Sequence, residues 1–162
     1  SSSKDSMISD ICSKYNQDVI VEKFISGYEV EVPVLISQNG TCSLFPAGIS
    51  IDKKQELGNQ ILDYDIRGNH RFEHYNFSKA NIKIAKELEL ISESVARVMQ
   101  IKNMGRVDYR IDKNGNYYIT DIATNPHITK SMTFYYEFQE FGLEYKDVLE
   151  CLIGLSLSWN NA

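Results

Sequence analysis

Cysteine is scarce in this chain. Cys12, Cys42 and Cys151 are widely spaced, and no two of them form a C-x-x-C pair. An odd count at such spacing argues against both a disulfide framework and a zinc knuckle, and reduced thiols in a cytoplasmic setting are the plain reading. Long apolar runs are missing as well. Nothing approaches the roughly 20 residues that a membrane helix needs, and no signal-peptide pattern opens the chain. Clustered basic residues are a third absence. The 17 Lys and Arg are outnumbered by 22 Asp and Glu, for a net charge of −5, and they lie scattered among the acids. A nucleic-acid phosphate backbone needs a concentrated basic face, so nucleic acid is not the expected partner. The chain also opens on Ser1-Ser2-Ser3-Lys4 without a methionine, as a fragment of a longer polypeptide would. What is present, 162 residues with 43% hydrophobic and 24% charged, suits a single soluble domain large enough to bury a core.

Read for organisation, the chain has neither repeats nor a long linker. Ser9 to Tyr15 suggests a short helix. Asp18 to Phe24 is rich in β-branched residues and stops at Ser26-Gly27, which predicts a strand and a turn. Tyr28 to Ser37 alternates Val30, Val32 and Val34 with Glu29 and Glu31, so a strand with one buried face is expected. Gln38-Asn39-Gly40 turns it, and Thr41 to Phe45 returns. From Ile49 to Phe77 the periodicity dissolves, and residues 49–77 are expected to form a mobile active-site loop. Ser78 predicts an N-cap for a helix reaching about Met99, with Ile84, Leu88, Ile91, Val95 and Val98 on one face. Gly105 to Ile111 and Asn116 to Ile122 flank Asn114-Gly115, a strong hairpin signal. Tyr145 to Trp159 reads as a closing helix with Val148, Leu149, Leu152, Leu155 and Trp159 on one stripe. The order of elements predicts an α+β domain, mainly antiparallel sheet flanked by helices.

The hairpin register carries chemistry. A two-residue turn at Asn114-Gly115, or a four-residue loop with Asp112 opposite Tyr117, places Asp108 opposite Asp121 and Arg106 opposite Ala123. Directly opposed side chains share a face with Cβ atoms about 5 Å apart. Two carboxylates that close repel unless a cation lies between them, and Mg²⁺ favours carboxylate oxygens together with substrate phosphates. The same face also reads as a solvated one on which Asp108 pairs with Arg106 or Arg110. A three-residue turn with a bulge would shift this register.

These residues resemble a known family. Gly105-Arg106-Val107-Asp108, the hairpin, and then Asp121-Ile122-Ala123-Thr124-Asn125-Pro126-His127-Ile128-Thr129 are similar to the metal-binding signature of D-alanine–D-alanine ligases, G-R-x-D followed by E-x-N-T-x-P-G-M-T. The resemblance implies an ATP-grasp C-terminal subdomain covering residues 1–162, part of a longer ligase. It implies that Asp108 and Asp121 bind the magnesium (or manganese) ions bridging the ATP phosphates, and that Arg106 stabilises the charge that develops in the reaction. Glu22-Lys23-Phe24-Ile25-Ser26-Gly27-Tyr28-Glu29 resembles the family's E-K-W-L-S-G-x-E segment. By that likeness, residues Glu22 to Ile25 meet the adenine and Glu29 accepts from the ribose hydroxyls. An acidic residue after a tight turn suits a diol, and it suits a wet strand face equally. Asp63-Tyr64-Asp65-Ile66-Arg67 is similar to the family's D-Y-x-x-K lid, which gives Tyr64 a nucleotide contact and Arg67 a catalytic part at the γ-phosphate. Ser2 and Ser3 fall where the family has a Gly/Ser-rich phosphate loop.

Two departures stand inside the signature. Ala123 replaces an asparagine metal ligand, for which Asn125, on the same side by parity, is the substitute. His127 replaces a glycine and brings an imidazole to the acyl site. Thr129, Ser131 and Thr133 fall where the family holds the second substrate's carboxylate, and Thr133 fits the spacing best. His70 and His74 have a metal-binding spacing for a helix, but no helix signal accompanies them. The resemblance therefore implies an ATP- and Mg-dependent carboxylate–amine ligase acting on small-molecule substrates, amino acids among them, through an acyl phosphate. It allows a homodimer. A nucleotide-binding regulatory protein of weakened activity is the alternative that Ala123 favours.

Overall fold

In a computed structural model, which describes residues 2–160, six antiparallel strands form one sheet. They are β1 (Tyr28–Ser37), β2 (Gly40–Ser43), β3 (Ala47–Ile51), β4 (Phe72–Asn76), β5 (Asn103–Ile111) and β6 (Tyr117–Ala123). The strand order is β4-β3-β1-β5-β6, with β2 also paired to β1. The helices are α1 (Ser2–Tyr15), α2 (Tyr64–Gly68), α3 (Ile82–Val98), α4 (Thr133–Glu140) and α5 (Tyr145–Asn160). This is the α+β arrangement the sequence predicts.

One sheet face is apolar and carries α3. Val30, Val32, Val107, Tyr109 and Ile111 pack there against Phe77, Ala85 and Leu88. Burying one such aliphatic side chain contributes roughly 1.5–3 kcal/mol, so this layer holds the domain together. The Tyr109 hydroxyl meets Ser92 at 2.8 Å, which satisfies the polar group it brings inside. The helix presents Ala85, Leu88, Ser92 and Ala96 as its buried line, and Val98 is 81% exposed. Small residues at that line let helix and sheet approach closely. The predicted cap also moves: Ser78 lies in a 3₁₀ turn, Phe77–Lys79, whose cap is the Asn76 side chain, and α3 begins after Asn81.

The second face is divided. Toward one end Leu35 and Met104 are covered by Phe134, Phe138 and Val148 of α4 and α5. Toward the other end the face carries Glu29, Glu31, Arg106, Asp108 and Arg110. Strand β1 is thus central and covered on both sides, and Glu31 is only 3% exposed. The expectation of one buried face fails because alternation within a strand reports one layer and not the second.

Three further expectations change. Residues 49–77 do not form one long loop: the ends pair as β3 and β4, from Ile51 opposite Phe72 to Ala47 opposite Asn76, and α2 lies between them. Residues 18–24 have strand-forming side chains but, among the described residues, no neighbouring strand to hydrogen-bond with, and Ile20 is 86% exposed. The N-terminal helix begins at Ser2 and not near Ser9, so the expected phosphate loop falls within its first turn. Ser1 lies outside the described residues.

The hairpin turn has three residues. Asp112 N–H donates to the Asn116 carbonyl, and Gly115 adopts φ +83, the left-handed conformation this turn requires. Next to the turn, Ile111 therefore faces Tyr117 and Arg110 faces Tyr118. A bulge between Asp108 and Tyr109 then absorbs one residue of β6, Thr120, and beyond it Asp108 faces Asp121 and Arg106 faces Ala123. The predicted pairing holds at the site and not at the turn.

Candidate functional site

The polar end of the second face forms a floor. Glu31, Asp108 and Asp121 stand in one row across β1, β5 and β6, and Glu29 pairs with Arg110 in the next. Arg106 lies one row further along, opposite Ala123. Its Nε donates to Asp108 Oδ1 and its Nη2 to Asp108 Oδ2, both at 2.6 Å. The same Nη2 lies 3.3 Å from Glu31 Oε1. Paired, in-plane contacts of this kind are strong, and they hold the guanidinium in a fixed plane.

Three carboxylates face one guanidinium here, and the titration behaviour follows. Burial pushes Asp108 up to about 6, with Glu31 and Asp121 adding to the rise and Arg106 opposing it. Burial also works to raise Glu31, but the nearby His74 ring and the charge of Arg106 outweigh this and leave it below the usual carboxylate range. Arg106 is held charged more firmly than an ordinary arginine: burial opposes its charge, while its bond to Asp108 and the charge of Glu31 outweigh that. A row of acids in excess of local positive charge suits a cation.

Beside the row a cleft of about 310 Å³ is lined by Glu22, Lys23, Phe24, Ile25, Glu29, Ile61, Leu62, Arg110 and Thr120. Arg110 builds it. Its Nε donates to the Ile25 carbonyl at 2.9 Å and its Nη2 to the Gly58 carbonyl at 3.0 Å. Its Nη1 donates to the Gln60 carbonyl at 3.2 Å and to Glu29 Oε2 at 3.0 Å. The guanidinium also lies 4.9 Å from the centroid of the Phe24 ring. One side chain thereby ties residues 23–25 and 58–60 to the sheet. Burial raises Glu29, with Arg110 opposing. Gly27, at φ +146, is required here, because a Cβ would lie 1.9 Å from the Ile111 carbonyl oxygen.

The structure brings together most of the residues singled out by sequence. Glu22, Lys23, Phe24, Ile25 and Glu29 line the cleft, Asp108 and Asp121 stand in the adjoining row, and Arg106 lies in the row beyond. Arg67 of α2 is partly buried, and its charge acts on both Glu29 and Glu31. Others are placed differently. Tyr64 is 89% exposed at the start of α2, which Asp63 caps. Ser3 is exposed on α1, away from any loop cradle, and Ser2 begins the same helix. Asn125 and His127 are exposed in the segment after β6, where strand parity no longer fixes a direction. Thr133 is buried at the start of α4, with its hydroxyl donating to Glu31 Oε2 and 3.2 Å from His74 Nε2. Committed in this way, that hydroxyl does not present itself to a substrate carboxylate. His70 and His74 fall in a turn and a strand, not on one helix.

Sequence reasoning gave Glu31 no part in the site, weighed His74 only as a metal ligand, and named Arg110 only as a partner for Asp108 and not as the side chain that builds the cleft. Only the acids at alternate positions of β1, Glu29 and Glu31, hinted at Glu31. Nothing local signals that His74 on β4 meets Thr133 on α4.

The profile of the family described as the D-ala D-ala ligase C-terminus matches residues 4–154. The chain is 24% identical over 140 residues to a D-alanine–D-alanine ligase of Aquifex aeolicus, an alignment covering 86% of this chain and 44% of that protein. It is 26% identical over 144 residues to the Geobacillus thermodenitrificans D-alanine–D-alanine ligase, covering 89% of this chain and 38% of the relative. The fold is similar to that of the Bacillus anthracis D-alanine–D-alanine ligase solved with ATP, at a TM-score of 0.70 and 18% identity over 95% of this chain and 47% of that one. It also resembles the Coxiella burnetii enzyme, at a TM-score of 0.67 and 18% identity, over 94% of this chain and 39% of that one. The chain spans less than half the length of these relatives. With its antiparallel sheet, flanking helices and matched signature, the chain belongs to the D-alanine–D-alanine ligase C-terminal family, an ATP-grasp fold.

Proposed function

We propose that this chain is the nucleotide- and metal-binding part of an ATP-dependent carboxylate–amine ligase that joins amino acids or related small molecules. The observation that carries the reading is the opposed pair Asp108 and Asp121 at the edge of the cleft lined by Glu22 to Ile25 and Glu29. The relatives' names and the ATP complex of the Bacillus anthracis enzyme support it.

The residues present fit Mg²⁺ or Mn²⁺ of a particular kind. Ala123 offers no ligand oxygen, and among the described residues no cluster of three or more His, Cys, Asp or Glu side chains is arranged to hold a metal. Two carboxylates without a full cage suit an ion whose remaining positions go to substrate phosphates and water. When bound, such an ion neutralises phosphate charge during transfer.

The chain's own residues would then act as follows. Residues 22–25 hold the adenine edge, and Glu29 accepts from the ribose. Arg67 approaches the terminal phosphate from α2. The γ-phosphoryl group passes to a substrate carboxylate, giving an acyl phosphate and ADP. An amine attacks its carbonyl carbon, and the tetrahedral intermediate expels phosphate and loses a proton. Arg106 faces the charge that develops in both steps. His127, in the exposed segment after β6, would meet the acyl substrate. The substitution Asp108→Ala is expected to abolish the Mg²⁺ dependence of ATP binding, read by calorimetry with and without the ion. Unchanged dependence overturns the assignment. ADP release across a panel of amino acids then separates an active ligase from a protein that binds nucleotide without turnover, the reading that Ala123 favours.

A further inference from the structure

Arg106 has two acidic partners, and they differ in what else holds them. Asp108 meets it through both oxygens at 2.6 Å and, among the described residues, has no other side-chain partner. Glu31 meets it through Oε1 alone, at 3.3 Å. The other Glu31 oxygen accepts from the Thr133 hydroxyl and lies 3.6 Å from His74 Nε2. His74 is itself fixed, stacked on Tyr136 with centroids 5.5 Å apart and edge-on to Phe72 at 5.6 Å. Strands β1 and β4 and helix α4 therefore converge on one buried carboxylate. Among the described residues, the Asp108 side chain is in contrast anchored by the guanidinium alone.

A cation on Asp108 and a bidentate guanidinium compete for the same two oxygens. If Asp108 turns to a metal, Arg106 loses its closer partner, and an uncompensated buried guanidinium is costly. We infer that Glu31, anchored by Thr133 and His74, is a positioning residue: it is the standing counter-charge that keeps Arg106 in place and releases Asp108 for the metal. This rests on the assignment of Asp108 to metal given above. Glu31 touches neither metal nor substrate in this account and acts through Arg106.

The test is the Mg²⁺ concentration that half-saturates ATP binding, measured by calorimetry on the protein and its variants. Glu31→Gln keeps an oxygen for the Thr133 hydroxyl and removes the charge. Among the described residues Arg106 is then left with Asp108 as the one acid in direct contact with it, and half-saturating Mg²⁺ is expected to rise about tenfold, the effect of one charge-assisted contact. In an Arg106→Gln background the same change is expected to add nothing, because the competitor is gone. An unchanged half-saturation in folded Glu31→Gln overturns the inference, as does an equal shift in the Arg106→Gln background, which a merely structural role gives. A second reading needs no turnover: the Arg106 Nε–H signal in ¹⁵N NMR stays protected on adding Mg-ATP to the parent protein and is lost in Glu31→Gln. If Glu31→Gln does not fold, Thr133→Val is expected to raise half-saturation and Thr133→Ser to restore it, and equal behaviour of the two refutes the role. A parent protein whose ATP binding ignores Mg²⁺, or in which Asp108→Asn leaves the dependence intact, overturns the metal assignment itself and this inference with it.

Discussion

Glu137 of α4 is fully buried, and neither carboxylate oxygen has a hydrogen-bond partner among the described residues. Burial pushes its carboxyl up to about 10, helped by the charges of Glu140 and Glu89. An unfolded glutamate titrates near 4.3. Between those values the folded chain keeps a proton that the unfolded chain releases. Stability from this group is thus fully present below about pH 4.3 and falls by about 1.4 kcal/mol per pH unit as pH rises, until pH nears the folded value. Glutamine at this position does not titrate, and any fixed cost of its amide is the same at every pH. The stability of the parent protein minus that of Glu137→Gln is therefore expected to fall by about 2–3 kcal/mol between pH 5.5 and 7.5. Urea denaturation followed by circular dichroism at several pH values measures it. Groups such as Glu31 and Asp108 titrate in both proteins and cancel in the difference. Parallel stability curves would refute the reasoning, because they mean that Glu137 is ionised, and so partnered or hydrated, in the folded state.

Two further substitutions test the cleft. Arg110→Lys keeps the charge but cannot span the carbonyls of Ile25, Gly58 and Gln60 together, so ATP affinity is expected to fall about tenfold while secondary structure persists. Affinity titration beside circular dichroism separates the two effects. Gly27→Ala forces a Cβ onto the Ile111 carbonyl at a left-handed φ, and a loss of at least about 2 kcal/mol is expected in denaturant unfolding.

The parts of the fold that were legible in the sequence are those whose cause is local. Val30, Val32 and Val34 alternate, and β1 forms where they do. The helices α3 and α5 follow their apolar spacing to within a few residues. Strands β3 and β4 were illegible for opposite reasons: Ala47 to Ile51 is buried at every position and so shows no alternation, whereas β4 is largely polar. Their pairing also joins segments some twenty residues apart. Residues 18–24 mislead in the other direction, since β propensity measures fit to a sheet and cannot supply a partner strand. At the site, the residues of the hairpin and of the segment before β1 were singled out because each lies within one short motif. Glu31, His74 and Thr133 come from three elements, and only the tertiary fold makes them neighbours.

In the hairpin, a turn other than the two expected still leads to the expected carboxylate pairing. A three-residue turn, continued without interruption, would place Thr120 opposite Asp108 and turn Asp121 toward the α3 face. The carboxylate pair would then not exist, because a slip of one residue exchanges the two faces of a strand. The bulge at Thr120 cancels that slip, and the Thr120 hydroxyl, donating to the Asp108 carbonyl at 3.2 Å, fastens the extra residue across the irregularity. It also aims Ile122 back into the core, where it packs with the layers beneath α3. Turn and bulge are thus two halves of one device: Gly115 sets the twist of the hairpin, and Thr120 restores the register that the Asp108–Asp121 pair and the core both need.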